Sequence, residues 1–242
     1  MPQQQQHQPV IKPNMKASPV LSKDVYKPRV HIIGGDSGLE NKFTSNGYRV
    51  MPAEHKSDFS WADTDIAVFT GGCDIHPKFY GEPFAGANTP NVSRDEEEID
   101  WFHCYEGIPK VGVCRGMQLL NILNGGKLIQ HAGGHYGDHK LVDKWKTEVR
   151  TSSVHHQICI PGPGAEVIGW SVGQSIPGSS VKDPEVMRWE DSHSFGVQGH
   201  PEWGPQAFTD YFFIMMKFFV LPTVIKNLHR NISGKSEKRI VH

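Results

Sequence analysis

Cysteine is scarce in this chain, and the four present (Cys73, Cys104, Cys114 and Cys159) form no C-x-x-C pair. That pattern is neither a disulfide framework nor a zinc-binding spacing, and it suits a reducing compartment. A charge excess of one sign is also lacking: the formal net charge is -1 over 242 residues. With no global field to hold a polyanion or an anionic bilayer, neither nucleic acid nor membrane is an expected partner, and a small molecule is. No basic cluster followed by an apolar stretch opens the sequence, which starts instead with Gln3 to Gln6, so a cytoplasmic location is expected. Long hydrophobic runs are missing too. The longest, Tyr211 to Leu221, is interrupted by Lys217 and followed by Pro222 and Lys226, short of the roughly 18–20 apolar residues of a membrane span, and reads as a core helix. No internal repeat is visible.

What is present is enough for one buried domain: 37% hydrophobic residues and 10% aromatics. Residues 1–28, rich in Gln, Pro and Lys, read as a disordered tail, because they carry too little apolar surface to offset the entropy of ordering. Residues 29–232 read as the catalytic domain and 233–242 as a polar C-terminal tail. Within the domain, Val30–Ile33, Ile66–Phe69 and Val111–Val113 read as strands, and Met117–Leu123 as a helix stopped by Gly125-Gly126. From about Thr147, short strand-like runs recur at Val149, Ile158–Ile160, Val167–Ile168, Val186–Met187 and Phe195–Val197. Alternation of strand and helix predicts an α/β domain with a mostly parallel sheet.

Two segments carry chemistry. Gly112-Val113-Cys114-Arg115-Gly116 has the form of a strand–turn–helix elbow, with Cys in the place of a nucleophile. On its own, Cys114 fits a buried structural thiol better than a nucleophile, since free cysteine is among the most buried residue types. At a helix N-terminus, however, the dipole favours the reactive thiolate, and the Arg115 N–H points to where an oxyanion would form. Gly72, in the Thr70-Gly71-Gly72 turn after a strand, is the candidate second donor. Further on, Val197-Gln198-Gly199-His200-Pro201-Glu202 sets an imidazole two residues from a carboxylate. In an extended segment both would lie on one side, with Glu202 fixing the tautomer and His200 acting as base. A histidine beside proline is otherwise an ordinary loop residue.

Other clusters read more simply. His131, His135 and His139 recur every four residues, but Gly133, Gly134 and Gly137 fall among them, and at about 1 kcal/mol per helical glycine a loop is favoured over a helical zinc site. His155-His156 point to opposite faces if extended, which suits a pocket better than joint chelation. Asp95 to Glu98 read as the solvated first turn of a helix, and the phenylalanines Phe212, Phe213, Phe218 and Phe219 as the buried face of the last helix.

Val111 to Asn121 together with Val197 to Glu202 resemble the motif pair of the class I glutamine amidotransferase-like superfamily. Within it the chain looks closest to the γ-glutamyl hydrolase and γ-glutamyl-γ-aminobutyrate hydrolase branch of cysteine peptidases. This closer likeness rests on Gly71 to Pro77 with Tyr80-Gly81, on Arg94-Asp95 with Glu98, and on Ser152 to Gln157, and the whole extends from about Arg29 to Phe219. The resemblance implies a flavodoxin-like three-layer sandwich, a Cys114–His200–Glu202 triad, and neither metal nor organic cofactor. It also implies that Arg115, Gln118, His155 and His156 lie near a γ-glutamyl group. Ser152 and Gly199 depart from the branch, which usually has Asn and an aromatic residue there. The expected activity is hydrolysis of a γ-glutamyl amide through a thioester. The alternatives are a glutaminase subunit feeding ammonia to a separate synthetase, and an inactive binding module on the same fold.

Overall fold

The computed structural model describes residues 26–51, 63–133, 135–175 and 182–237. Residues 1–25 of the expected N-terminal tail and 238–242 of the expected C-terminal tail lie outside the described residues. The three residues that end the N-terminal stretch are engaged with the domain: the Tyr26 hydroxyl donates to Asp65 at 2.6 Å, and the Pro28 carbonyl accepts from Arg49 N–H.

One nine-stranded sheet forms the middle of the domain. Its first part holds β1 (Arg29–Ile33), β2 (Arg49–Met51), β3 (Ile66–Phe69), β4 (Lys110–Val113) and β11 (Ser194–Val197), side by side in the order β2-β1-β3-β4-β11 and all parallel. This is the doubly wound order of flavodoxin-like folds. β3 and β4 are buried along their whole length, as strands covered on both faces must be. Helices α1 (Ser37–Ser45), α4 (Gln206–Phe219) and α5 (Leu221–Glu237) cover one face, where Leu39, Phe43, Phe208 and Phe212 meet Val68, Val111 and Val197. On the other, α2 (Val92–Cys104) and α3 (Arg115–Leu123) bring Trp101, Phe102, Met117 and Leu120 against Phe69 and Ala67. The layers are therefore α/β/α.

The sheet is mixed, which corrects the expectation that it is mostly parallel. Beyond β11 the order continues through β10 (Lys182–Trp189), β9 (Ala165–Ser175), β6 (His139–Asp143) and β7 (Glu148–Thr151), with antiparallel pairing throughout. The reason lies in the connections. Residues 144–147 and 190–193 are too few for the crossover that parallel neighbours require, so these strands fold back as hairpins. A two-stranded antiparallel sheet of β5 (Lys127–Ile129) and β8 (Ile158–Ile160) stands apart.

The run expected to be a core helix is one: α4 buries Phe208, Tyr211, Phe212, Phe213, Met215 and Met216. Among the described residues no single helix is long and apolar enough to cross a membrane, though α4 with Leu221–Asn231 passes by length and composition as a pair bent by 42°.

Candidate active site

Three neighbouring parallel strands end at the same edge of the sheet, and each is followed by a segment singled out above. Thr70-Gly71-Gly72 follows β3, Cys114 follows β4, and Gln198 to Glu202 follow β11. Parallel pairing of Val197 with Val113 sets the last two segments side by side, and the Cys114 N–H donates to the Val197 carbonyl at 2.8 Å. Loops at the carboxyl ends of parallel strands are where α/β sheets gather their chemistry.

Cys114 has φ 53° and ψ -111°, a left-handed conformation that costs a non-glycine residue about 1–3 kcal/mol and persists only where its surroundings enforce it. Here they do. The first turn of α3 presses on the end of β3 so closely that a β carbon on Gly116 would collide with the Phe69 carbonyl. Cys114 is the N-cap of α3 yet makes no side-chain cap, so its sulfur is left to other partners.

One of these is His200. A β carbon built on Gly71 would lie 2.9 Å from His200 Cε1 and 3.7 Å from both His200 Nε2 and the Cys114 β carbon, so thiol and imidazole share one small space. On the far side of the ring, His200 Nδ1 is 2.5 Å from Glu202 Oε1. The pair forms within a turn, closed by Gly204 N–H donating to the His200 carbonyl at 2.8 Å, and not within the extended segment that the His-x-Glu spacing suggested. Burial opposes charge on the ring, but hydrogen bonds to Cys114 and Glu202 override it and raise the His200 pKa from 6.5 to about 10.

Ser152 serves as a brace: its Oγ accepts from the His200 N–H at 3.0 Å and donates to the His200 carbonyl at 3.3 Å. Gly199 has no room for the aromatic side chain usual in the related branch, because any β carbon there would collide with Thr151 Oγ1 and crowd Phe208. An aromatic ring reaches the imidazole from the other direction. Trp203, 61% exposed, stacks on His200 with centroids 4.0 Å apart and planes 4° from parallel.

These contacts have a sign that can be checked. A raised histidine pKa contributes stability that is complete below the ordinary value of 6.5 and is lost as pH rises through about 10. Denaturant unfolding at a series of pH values should therefore show a decline across that window, flattened in Glu202→Gln. Trp203→Ala removes a cation–π face worth about 0.5–2 kcal/mol, so the His200 titration followed by NMR should move down by about 0.4–1.5 pH units. An unmoved titration would mean that the stacked ring is only a cover.

The Thr70-Gly71-Gly72 segment is held from α2. Arg94 Nη2 donates to the Gly71 carbonyl at 2.9 Å and to Thr70 Oγ1 at 3.2 Å, while its Nε donates to Glu98 at 2.7 Å. In a trans peptide the next N–H points opposite to the carbonyl, so Gly72 turns its N–H away from the guanidinium. Gly72 has φ 146°, and a side chain on it would overlap Arg94. Glu98 and Asp95 also pair with the Arg115 guanidinium. The acidic turn expected to be solvated is so only at Glu96 and Glu97; Asp95 and Glu98 are 0% and 2% exposed, because they face a cation brought in by another helix. Burial works against the Arg115 charge, and the ion pairs with Glu98 and Asp95 raise its pKa nonetheless.

Gln118 lies in the same neighbourhood. Its Nε2 is 3.3 Å from Gln198 Oε1 and 3.4 Å from the Gln157 carbonyl, and Gln198 Nε2 is 3.6 Å from Cys114 Sγ. His156 Nε2 is 2.9 Å from Asp74, just beyond Gly72, and its Nδ1 3.1 Å from His131. His155 turns the other way, toward Glu185 on β10 at 3.8 Å. Nothing in the sequence pattern alone gives Arg94, Gln198 or Trp203 a role here, although Arg94 and Gln198 lie inside the motifs named above and Trp203 directly follows one. A cleft of about 550 Å³ lined by Phe102, His103, Lys110 and Asp191 lies at the opposite end of β4, far from the sulfur.

The sequence model of the Peptidase C26 family matches residues 51–165, a stretch that includes Cys114 and ends before His200. A "putative glutamine amidotransferase" of Schizosaccharomyces pombe is 28% identical over 57% of this chain and 62% of its own length. These matches make the chain similar to proteins of the class I glutamine amidotransferase-like superfamily. A glutamine amidotransferase of Thermotoga maritima shares its fold, with a TM-score of 0.54 at 13% identity over 90% of this chain and 87% of that one. The carbamoyl phosphate synthase small chain of Helicobacter hepaticus is 30% identical over 71% of this chain and 43% of its own length. The matches thus span less than two thirds of the length of either curated relative.

Proposed function

We propose that this chain hydrolyses γ-glutamyl amide bonds, with Cys114 as nucleophile, His200 as acid and base, and Glu202 as the residue that orients the ring. The reading rests on one observation above others: the sulfur of Cys114 meets an imidazole and a carboxylate from a distant segment of the chain, in hydrogen-bonding order, at one end of the sheet. The Cys114 sulfur attacks the γ-carbonyl, and the main-chain N–H groups of Gly72 and Arg115 receive the oxyanion. The C–N bond breaks as the His200 proton passes to the departing nitrogen, leaving a γ-glutamyl thioester. Water, deprotonated by His200, then cleaves the C–S bond and releases glutamate. Gln118 and His156 are assigned to the neighbourhood of the γ-glutamyl group, whereas His155, expected there too, faces Glu185 on β10.

A second reading has specific support. The likeness to a carbamoyl phosphate synthase small chain suits a glutaminase that passes ammonia to a separate synthetase. An inactive binding module is opposed by the complete triad. Purified protein assayed against glutamine, γ-glutamyl-aminobutyrate and poly-γ-glutamates for released glutamate separates these readings. Turnover of one of them by the chain alone supports the hydrolase, and glutamine turnover only with a synthetase supports the subunit. No release under either condition, with Cys114 unlabelled by a glutamine-mimicking electrophile, would overturn both.

A further inference from the structure

One cluster of chemistry-bearing side chains is not used by the triad. His135 and His139, from the glycine-rich stretch and the start of β6, meet His155 of the pocket loop and the two carboxylates of β10, Asp183 and Glu185. Residues two apart on a strand share a face, so both carboxylates point into the same space. His135, His155 and Asp183 each offer a ligand atom, and these atoms lie within 4.8 Å of one another. Asp183 and Glu185 are 0% exposed and the two imidazoles at most 4%.

This cluster is short of protons and of positive charge. His135 Nδ1 is 3.0 Å from Asp183 Oδ2, but among the described residues neither atom has a hydrogen-bond partner, and Asp183 Oδ1, Glu185 Oε2 and His155 Nε2 have none either. Among the described residues the carboxylates pair only with imidazoles. Taking two carboxylates out of water costs several kcal/mol each unless a cation offsets it. The orientation of His155 supplies the next clue. Its Nδ1 is 3.0 Å from the Gln157 carbonyl, an acceptor only, so the proton sits on Nδ1 and the Nε2 lone pair faces the carboxylates. An imidazole fixed through its far nitrogen by a backbone carbonyl is the arrangement that metal-ligating histidines adopt.

We propose that His135, His155 and Asp183, with Glu185 as the fourth donor, bind a divalent first-row transition ion of the zinc type. Two imidazoles and two carboxylates suit borderline cations rather than the all-oxygen shells of calcium or magnesium. A tetrahedral zinc shell with bonds of about 2.0–2.1 Å has ligand atoms roughly 3.3 Å apart; the atoms of His135, His155 and Asp183, within 4.8 Å of one another, draw in on binding, and Glu185, 3.8 Å from His155 Nε2, completes the shell. Glu185 is held in place by His139 Nε2 at 2.8 Å. The ion ties the pocket loop, through His155, to β10, whose Glu185 carbonyl accepts the Gln198 N–H at 2.8 Å. It is a clamp beneath the candidate site, not a participant in its chemistry.

The full-length chain, stripped with a chelator and then given zinc, should retain about one ion per chain after gel filtration, measured by elemental analysis, and should melt at a higher temperature. Cobalt in place of zinc should give visible bands of a four-coordinate site without a thiolate charge-transfer band in the near ultraviolet. His155→Gln and Asp183→Asn should lose the ion, whereas Cys114→Ala should keep it. Should either ligand variant fail to fold, the wild-type cobalt spectrum decides alone. Failure to retain zinc, equal retention by both ligand variants, or a thiolate band that disappears in Cys114→Ala would each overturn the proposal. None of these readouts depends on turnover, so failure here is distinct from failure of the hydrolase reading.

Discussion

Cys114→Ser should abolish glutamate release almost completely, by a factor on the order of 10⁵ or more, while leaving the fold intact. The loss is large although the substitution is small. A serine oxygen can occupy the same elbow, with the same strained φ of 53° and the same main-chain bond to Val197, so nothing in the packing changes. What changes is the nucleophile. A hydroxyl gives up its proton far less readily than a thiol, and attack on the amide stalls. The oxyanion donors Gly72 and Arg115 act through the main chain and remain, so substrate binding should persist and the deficit should appear in kcat with KM little altered. The same variant replaces an ionisable thiol that helps raise the His200 pKa to about 10 with a hydroxyl that stays neutral, so the ring should titrate lower, an NMR signature independent of turnover. If the serine form keeps more than roughly a hundredth of the activity, the triad is not the catalytic centre.

What could be read from the chain alone follows from which interactions are local. β3, β4 and α3 announce themselves because a continuous apolar strand and an apolar helix face are written within a dozen residues. The elbow at Cys114 is legible for the same reason. β2 and β5 are three residues long and β6 five, too short to show a period, and their pairing with neighbours decides their conformation. The antiparallel half of the sheet departs from the strand–helix alternation of the first half because, among the described residues, its connections hold no helix. For Asp95 and Glu98 the obstacle is deeper: an acidic first turn looks the same in sequence whether it meets water or a buried guanidinium from another helix. Asp183 and Glu185, separated by Pro184, form no recognisable pattern in the sequence. Their significance depends on histidines brought from about 30 to 50 positions away in the chain, which only tertiary structure can reveal.

Arg115→Met should destabilise the fold by roughly 3–5 kcal/mol, the usual consequence of stripping the partner from buried charges. Arg115, Asp95 and Glu98 are all 2% exposed or less, so water cannot replace the lost guanidinium. Asp95 would retain only the His76 N–H at 2.9 Å, and Glu98 would retain Arg94. For a domain of this size the loss corresponds to a melting temperature lower by about 6–20 °C. Methionine keeps the volume of the side chain and isolates the charge as the cause. Lysine should recover only part of the loss, since one ammonium cannot reproduce the fork that reaches two carboxylates at once. Neutralising the acids in the same background, as Asp95→Asn with Glu98→Gln, should restore much of the stability, because the penalty resides in the unpaired carboxylates more than in the missing cation. That triple variant should still turn over poorly. Without the Glu98 carboxylate, Arg94 loses its anchor at 2.7 Å, and the Gly71 carbonyl that Arg94 holds is free to rotate the Gly72 N–H away from the oxyanion. Chemical denaturation and kcat measured on the same samples would separate the two effects; stability unchanged to within 1 kcal/mol in Arg115→Met would mean that the buried triad carries no net weight in this fold.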